Sequence, residues 1–491
     1  MQQTNSSCLT NSLEDNLASL RKMWADSADL LITRVQLGGI HAALICCEGM
    51  LSTATLAQMV LAPLNEIKEQ FPSATAFLMY LRDKLILSTD TQTAQDFEGI
   101  SRMLAAGFAV IFLEGCTECL AFGVQGYASR SIGEPDGEQN IYGAKEGFTE
   151  HLRTNLSLIR RRMKSPLLTM QILTVGSISQ TDLCIIWMQD RVSQELINKI
   201  KEKLENLPLE TVLSSGYVRP FLEERDAHLF HSVGTTERPD VLCAKLLEGR
   251  VAILIDGTPF SLVIPQLFWE NFQTLDDYNE SPAYATLIRI LKLAAFVIAL
   301  TQPAIYLAIA VFHPELLNPT LLQILAKAEQ NAPFSLTAEM LGVLFMFEVV
   351  REAGLRLPKA VGGAVSIVGG LIIGDAAVNS GLVSTPVLTI TVLSVTAGFV
   401  TPELHSILTI LRPLLILSAA ACGLSGVAVV GMGVLCNLCA AEVFGYPVTA
   451  PFAPLRASRL RDVFVRIGFR RLSTGNFHVN EVRQRHDTSQ N

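Results

Sequence analysis

The chain has 491 residues, 49% of them hydrophobic and 17% charged, and a net charge of −8; its mean hydropathy is +0.36. That length argues against a single domain, and the hydropathy argues against a wholly soluble protein. The acidic balance argues against nucleic acid as a partner.

The hydrophobicity is concentrated. Residues 293–312, 376–402 and 413–441 contain no charged side chain, whereas the first 288 residues resemble an ordinary soluble chain. The expected fold is an α/β soluble N-terminal half made of two repeated α/β subdomains, followed by an all-α polytopic transmembrane domain. Residues 1–25 are polar and read as a flexible N-terminus. They lack a charged segment followed by an apolar one, so no signal peptide is expected and the soluble half is placed in the cytosol.

Residues 26–140 read as the first subdomain and 165–285 as the second. A shift of 141 aligns Leu44-Ile45 with Ile185-Ile186, Ser52 with Ser193, Leu56 with Ile197 and Met59 with Ile200. A shift of 142 aligns Val110–Gly115 with Ala252–Gly257. In each copy a β-branched, apolar run meets an acidic-Gly turn and a second apolar run, which is a hairpin pattern. Glu114 and Asp256 are assigned to turn geometry. Residues 141–164 read as a linker with a basic helix carrying Arg160, Arg161 and Arg162, which suits phosphate, lipid or salt bridges.

No phosphate-binding loop, catalytic triad or metalloprotease motif occurs. Cys116-x-x-Cys119 and Cys436-x-x-Cys439 lie in different halves without a nearby histidine and read as packed thiols. No catalytic residue, metal or cofactor is expected, and the protein is not read as an enzyme.

The transmembrane domain is assigned to 286–454, with four to six membrane segments. Leu293–Phe312 is long enough to span a bilayer, and Pro303 should kink it. Phe334–Val350 is interrupted by Glu339 and Glu348 and reads as a re-entrant segment or a pore-facing helix. Glu348, Arg351 and Glu352 fall on one helical face and suit interhelical or gating charges. The following segment is rich in small residues. Ser366, Gly370 and Gly374 share a face at spacings of four, which suits close helix packing or a pore lining. Asp375 and Val378 complete that face as candidates, since a carboxylate at membrane depth usually meets protein or water. Residues 413–441 make one tilted helix or two broken halves. With both termini inside, four passes require a re-entrant 334–350, and six require 413–441 to cross twice. The tail, 455–491, carries eight arginines against Asp462, Glu481 and Asp487. It reads as cytoplasmic and within reach of anionic lipid in the bilayer.

Long motifs carry a family resemblance: GAKEGFTEHLRTNLSLIRRRM (143–163), TERPD (236–240), EGRVAILIDGTPFSLVIP (248–265), FHPELLNPTLL (312–322) and EVVREAGLRLPKAVGGAVSIVGGLIIGDAAV (348–378). They resemble the A subunit of the GerA-family spore germinant receptors, and the paralogous stage V sporulation protein AF shares them. One departure is Tyr142-Gly143-Ala144-Lys145, where the family usually has Arg-Gly-Pro-Arg. The resemblance implies a protein of the spore inner membrane, with the soluble half and tail on the core side. It also implies an integral-membrane B subunit that binds nutrient, a lipoprotein C subunit, and self-association into a homo-oligomer that forms a nutrient-gated cation conduit.

Overall fold

A computed structural model of the chain describes residues 8–67, 69–83, 90–126, 135, 137–138, 140–223, 229–330, 332–357, 370, 374–453, 455 and 462–468. The N-terminal half holds two five-stranded antiparallel sheets. The first contains β1 (Leu30–Leu37), β2 (Ile40–Cys47), β3 (Thr91–Ala94), β4 (Phe108–Leu113) and β5 (Cys119–Gly123), in the order β1-β2-β4-β5-β3. The second contains β6 (Leu168–Val175), β7 (Thr181–Met188), β8 (Gly234–Thr236), β9 (Val251–Ile255) and β10 (Ser261–Ile264), in the order β6-β7-β9-β10-β8. The topology is the same, and so is the register. Ala42 faces Leu113 and Leu44 faces Ile111 in the first sheet; Leu183 faces Ile255 and Ile185 faces Ile253 in the second.

Helices cover both faces of each sheet, so alternate residues enter two separate cores. In the first copy, α1 (Leu13–Met23), α2 (Ala74–Asp83) and α3 (Phe97–Ala105) flank the strands. Ala43, Ile45, Val110 and Phe112 pack with α1 and α3, while Leu44, Ile111 and Leu120 pack with α2. In the second, α4 (Leu152–Arg162), α5 (Gln194–Glu205), α6 (Ser215–Leu222) and α7 (Pro239–Leu247) do the same. Strands buried on both faces read as continuous apolar runs, which is why Ala42–Cys47 and Val251–Ile255 lack alternation.

Three sequence expectations change. The N-terminus expected to be flexible is folded over its described residues, 8–25: Leu13–Met23 forms α1, and Leu13, Leu17 and Leu20 are buried in the first core. The basic helix α4 is no linker element: Leu152, Leu156 and Ile159 belong to the second core, where α4 occupies the place of α1. Met59 is not the counterpart of Ile200. It is exposed, whereas Ile200 is buried, because a π-helical turn, Ala57–Leu61, inserts a residue and turns Val60 inward.

The C-terminal half is helical. It contains α8 (Pro282–Phe312), α9 (Pro319–Gln330), α10 (Leu336–Arg356), α11 (Thr385–Gly398) and α12 (His405–Ala440). Residues 374–379 are also helical. Two helices, Pro282–Phe312 and the stretch Pro402–Ala440, are long and apolar enough to cross a membrane.

The helices alternate in direction. The start of α8 meets the soluble half, where Phe296 and Ala299 pack with Phe268 and Phe272. Its far end, Phe312, lies against Gly423. Leu336 and Met340 of α10 pack with Ala304 and Leu307 in the far half of α8, and Glu348 returns to Thr409 near the start of α12. The chain then reaches the far end again, because Ser384 bonds to Glu339, and α11 comes back to Ala299 through Ser394. Helix α12 is broken at Gly423 (φ 62°, ψ −144°), a conformation open to glycine. Its first half runs outward. Its second half returns, since Leu438 packs with Leu404 and Ile407 and the Asn437 side chain accepts from the Leu229 amide. Residues 413–441 are therefore two broken halves.

The chain leaves α12 into the soluble half. Val443, Phe444 and Tyr446 join the core of the second subdomain, although the sequence places this stretch in the transmembrane domain.

Candidate functional site

Two polar clusters lie among the apolar helices. The first begins with Pro303. A proline has no N–H, so the carbonyl four residues earlier loses its helical donor. That carbonyl, Ala299 O, accepts from Arg412 Nε and from Ser394 Oγ, both at 2.8 Å. Arg412 Nη2 also donates to Ser394 O at 3.1 Å. The guanidinium thus ties α8, α11 and α12 together. Its seat needs Gly398, because a Cβ there would collide with Nη2. Arg412 is 1% exposed, and no carboxylate touches it among the described residues.

The second cluster is one turn away. Glu348 Oε2 accepts from Arg351 Nε at 3.0 Å and lies 3.5 Å from His405 Nε2, while Oε1 accepts from Thr409 Oγ1 at 3.2 Å. Glu352 pairs instead with exposed Arg356. At the far end, Glu339 is buried and accepts from the Ser384 amide and hydroxyl at 3.0 and 2.9 Å. Its carboxylate caps the positive end of α11.

Of the small-residue face, Ser366 lies outside the described residues. Gly370 and Gly374 line a gap of about 20 Å³ against Val343, Met346, Phe347 and Val350 of α10 and Leu388 of α11. Val378 is half-buried, and Asp375 is exposed with Asn379. The glycines and the carboxylate therefore lie on different sides of this segment. An open, largely apolar cavity of about 610 Å³ runs beside Ala338, Glu339, Gly342, Ala376 and Ser380.

The soluble half uses its charges for docking. Arg160 Nε and Nη2 donate to the two Asp29 oxygens at 2.7 and 3.0 Å, across the two subdomains and fully buried. Arg161 and Arg162 pair with Glu146. Ala144, in the departing loop, offers its carbonyl to Arg238 at 2.7 Å. The turn acids do more than turn: Glu114 Oε2 accepts from Leu13 N at 2.8 Å, and Asp256 Oδ1 from Leu152 N at 2.9 Å. Each caps the first helix of its own subdomain. Glu138 accepts from Thr236 at 2.7 Å, and burial pushes its carboxyl up to about 7. Asp462 and Arg466 of the basic tail clasp the base of α8: Arg289 donates to Asp277 and Asp462, and Arg466 donates to the carbonyls of Tyr278 and Glu280.

The sequence points to Glu339, Glu348, Arg351 and Glu352 but passes over Arg412, Ser394, Ala299 and His405. A lone arginine opening an apolar stretch is the same signal as the lone Asp375. Cys116 and Cys119 are buried and Cys436 and Cys439 exposed, all as free thiols. Among the described residues, no group of three or more His, Cys, Asp or Glu is arranged to hold a metal ion.

The family described as Bacillus/Clostridium GerA spore germination protein matches residues 18–475. The chain belongs to the GerA spore germination family. It is 34% identical to spore germination protein KA of Bacillus subtilis (strain 168) over 464 residues, covering 94% of this chain and 85% of that protein. Spore germination protein GerLA of Bacillus cereus is 30% identical, with 93% and 94% covered. The crystal structure of the N-terminal domain of the A subunit of the Bacillus megaterium spore germinant receptor GerK3 is 27% identical. It covers 54% of this chain and 98% of that one, with a TM-score of 0.42.

Proposed function

We propose that this chain is the membrane-embedded A subunit of a nutrient germinant receptor in the spore inner membrane. It crosses the bilayer six times, with the soluble half and the tail on the core side. With an integral-membrane B subunit and a lipoprotein C subunit it triggers germination, and its oligomer conducts cations when nutrient binds.

The alternating helix directions are the observation that carries this reading. Both ends of the helical half return to the soluble half, and the charged cluster at Glu348 and Arg351 sits near that side, as a basic inner loop requires. A carboxylate and an amide, Asp375 and Asn379, are left exposed away from the gap that Gly370 and Gly374 line, where a second copy or water would meet them. A non-conducting scaffold is the alternative, and Gly370 and Gly374, which face α10 across a narrow gap, favour it.

The test uses spores carrying full receptors. Larger or charged residues at Ser366, Gly370, Asp375 or Val378 are expected to release cations without nutrient. Unchanged release from variants that still assemble in the membrane refutes conduction through this segment.

A further inference from the structure

We propose that Glu348 and Arg412 are the two halves of a charge switch: when α10 slips one turn along α12, Glu348 exchanges Thr409 and His405 for Arg412. The switch rests on the receptor reading above and supplies its moving part.

Arg412 is the first observation. A fully buried guanidinium with no touching carboxylate is costly. Its Nη1 has no hydrogen-bond partner, although Nε and Nη2 are both engaged. The seat is otherwise complete: a proline-freed carbonyl, a serine and a glycine that leaves room for the planar group. A site built to hold a cation lacks its anion.

The second observation is where an anion stands. Glu348, on α10, faces the same helix as Arg412. It rests on Thr409, three residues before Arg412 and on the same face of α12. Helix α10 runs opposite to this half of α12. A slide of about 5 Å, one helical turn, away from the soluble half therefore moves Glu348 from the level of Thr409 to that of Arg412. Arg351 follows one turn behind and replaces Glu348 beside Thr409 and His405. In the shifted register Arg412 gains the carboxylate it lacks, while Arg351 keeps Glu348 three residues before it on its own helix, so the helix has two discrete positions rather than a continuum.

The third observation is freedom to move. The 610 Å³ cavity flanks α10 along Ala338, Glu339, Gly342, Val343 and Met346. The slide is opposed by the bonds from Ser384 to Glu339 and by the packing of Leu336, Met340 and Leu344. In the sequence, α10 is followed by the basic loop and the small-residue segment.

The experiment is a double-mutant cycle in spores with the whole receptor. Glu348→Gln and Arg412→Gln are each expected to slow nutrient-triggered cation release at least tenfold. The double variant should be no slower than the slower single, a non-additivity of tenfold or more, with equal amounts of chain in the membrane. A double variant whose rate is the product of the two singles overturns the switch. If the neutral variants do not assemble, Glu348→Asp and Arg412→Lys keep both charges but change reach and geometry; each is expected to slow release by a smaller factor, and the double is again read for non-additivity, an additive double overturning the switch. Purified receptor in liposomes separates the two readings. A non-additive cycle without conductance removes the channel and keeps the switch; conductance with an additive cycle does the reverse.

Discussion

Replacing Asp29 by alanine removes the buried anion that joins the two soluble subdomains; the half-exposed pair of Glu48 with Arg153 remains. Breaking a buried ion pair costs about 3–5 kcal/mol, because the surviving charge stays desolvated. Here Arg160 keeps two carbonyl acceptors, Ser165 O at 2.8 Å and Leu168 O at 2.9 Å, and lies 4.8 Å from the centre of the Trp24 ring. That ring is worth about 1 kcal/mol to a nearby cation, so the lower limit applies, about 3 kcal/mol. Ser27 Oγ and Cys47 Sγ lose the same acceptor, which keeps the loss from being smaller. For a domain of this size, about 3 kcal/mol corresponds to a fall in Tm of roughly 6–12 °C. Thermal unfolding of the purified full chain in nanodiscs, followed by the fluorescence of Trp24, Trp187 and Trp269, measures it. The control is Glu98→Ala, which breaks an exposed pair with Arg102 and should cost under about 0.5 kcal/mol. If Asp29→Ala shifts the transition no further than Glu98→Ala does, the buried pair does not hold the two subdomains together.

Gly398→Ala should destabilise the helical half by about 1–3 kcal/mol, since its Cβ displaces the Arg412 guanidinium; the unfolding midpoint in detergent checks this. Glu114→Ala and Asp256→Ala should each cost about 1 kcal/mol by uncapping α1 and α4, and the two losses should be similar in denaturant titrations. Glu138, with Thr236, Glu237 and Glu403 as its neighbours, has a folded pKa raised to about 7. Its contribution to stability is thus fully present below the ordinary carboxylate range and is lost as pH rises to about 7. Glu138→Gln should flatten that fall in a series of Tm measurements. Asp462→Ala should lower the midpoint by loosening the tail from Arg289 and Tyr278, and limited proteolysis should then cut the tail faster.

Much of the soluble half was legible. Strands buried on both faces leave apolar runs, and duplicated runs betray a duplicated fold at a nearly constant shift. The π-helical turn at Ala57–Leu61 was not legible, because one inserted residue leaves no mark on composition. Nor was the role of α4: its three arginines suggest a surface, and only the position of Asp29 in the fold buries Arg160. In the helical half, Pro303 reads as a kink, yet its larger effect is to free the carbonyl that Arg412 and Ser394 capture. The reversal at Gly423 was masked by Gly426, Gly431 and Gly433, any of which allows a break. Spacing alone groups Gly370, Gly374 and Asp375. The fold separates them: the glycines face α10 across a gap, and the carboxylate is left exposed.

Cation flux through the purified receptor in liposomes, with and without nutrient, tests the central claim most directly. Flux that appears with nutrient and changes in rate or ion preference on Asp375→Asn is the expected result. Assembled receptor that binds nutrient and passes no cations would contradict it.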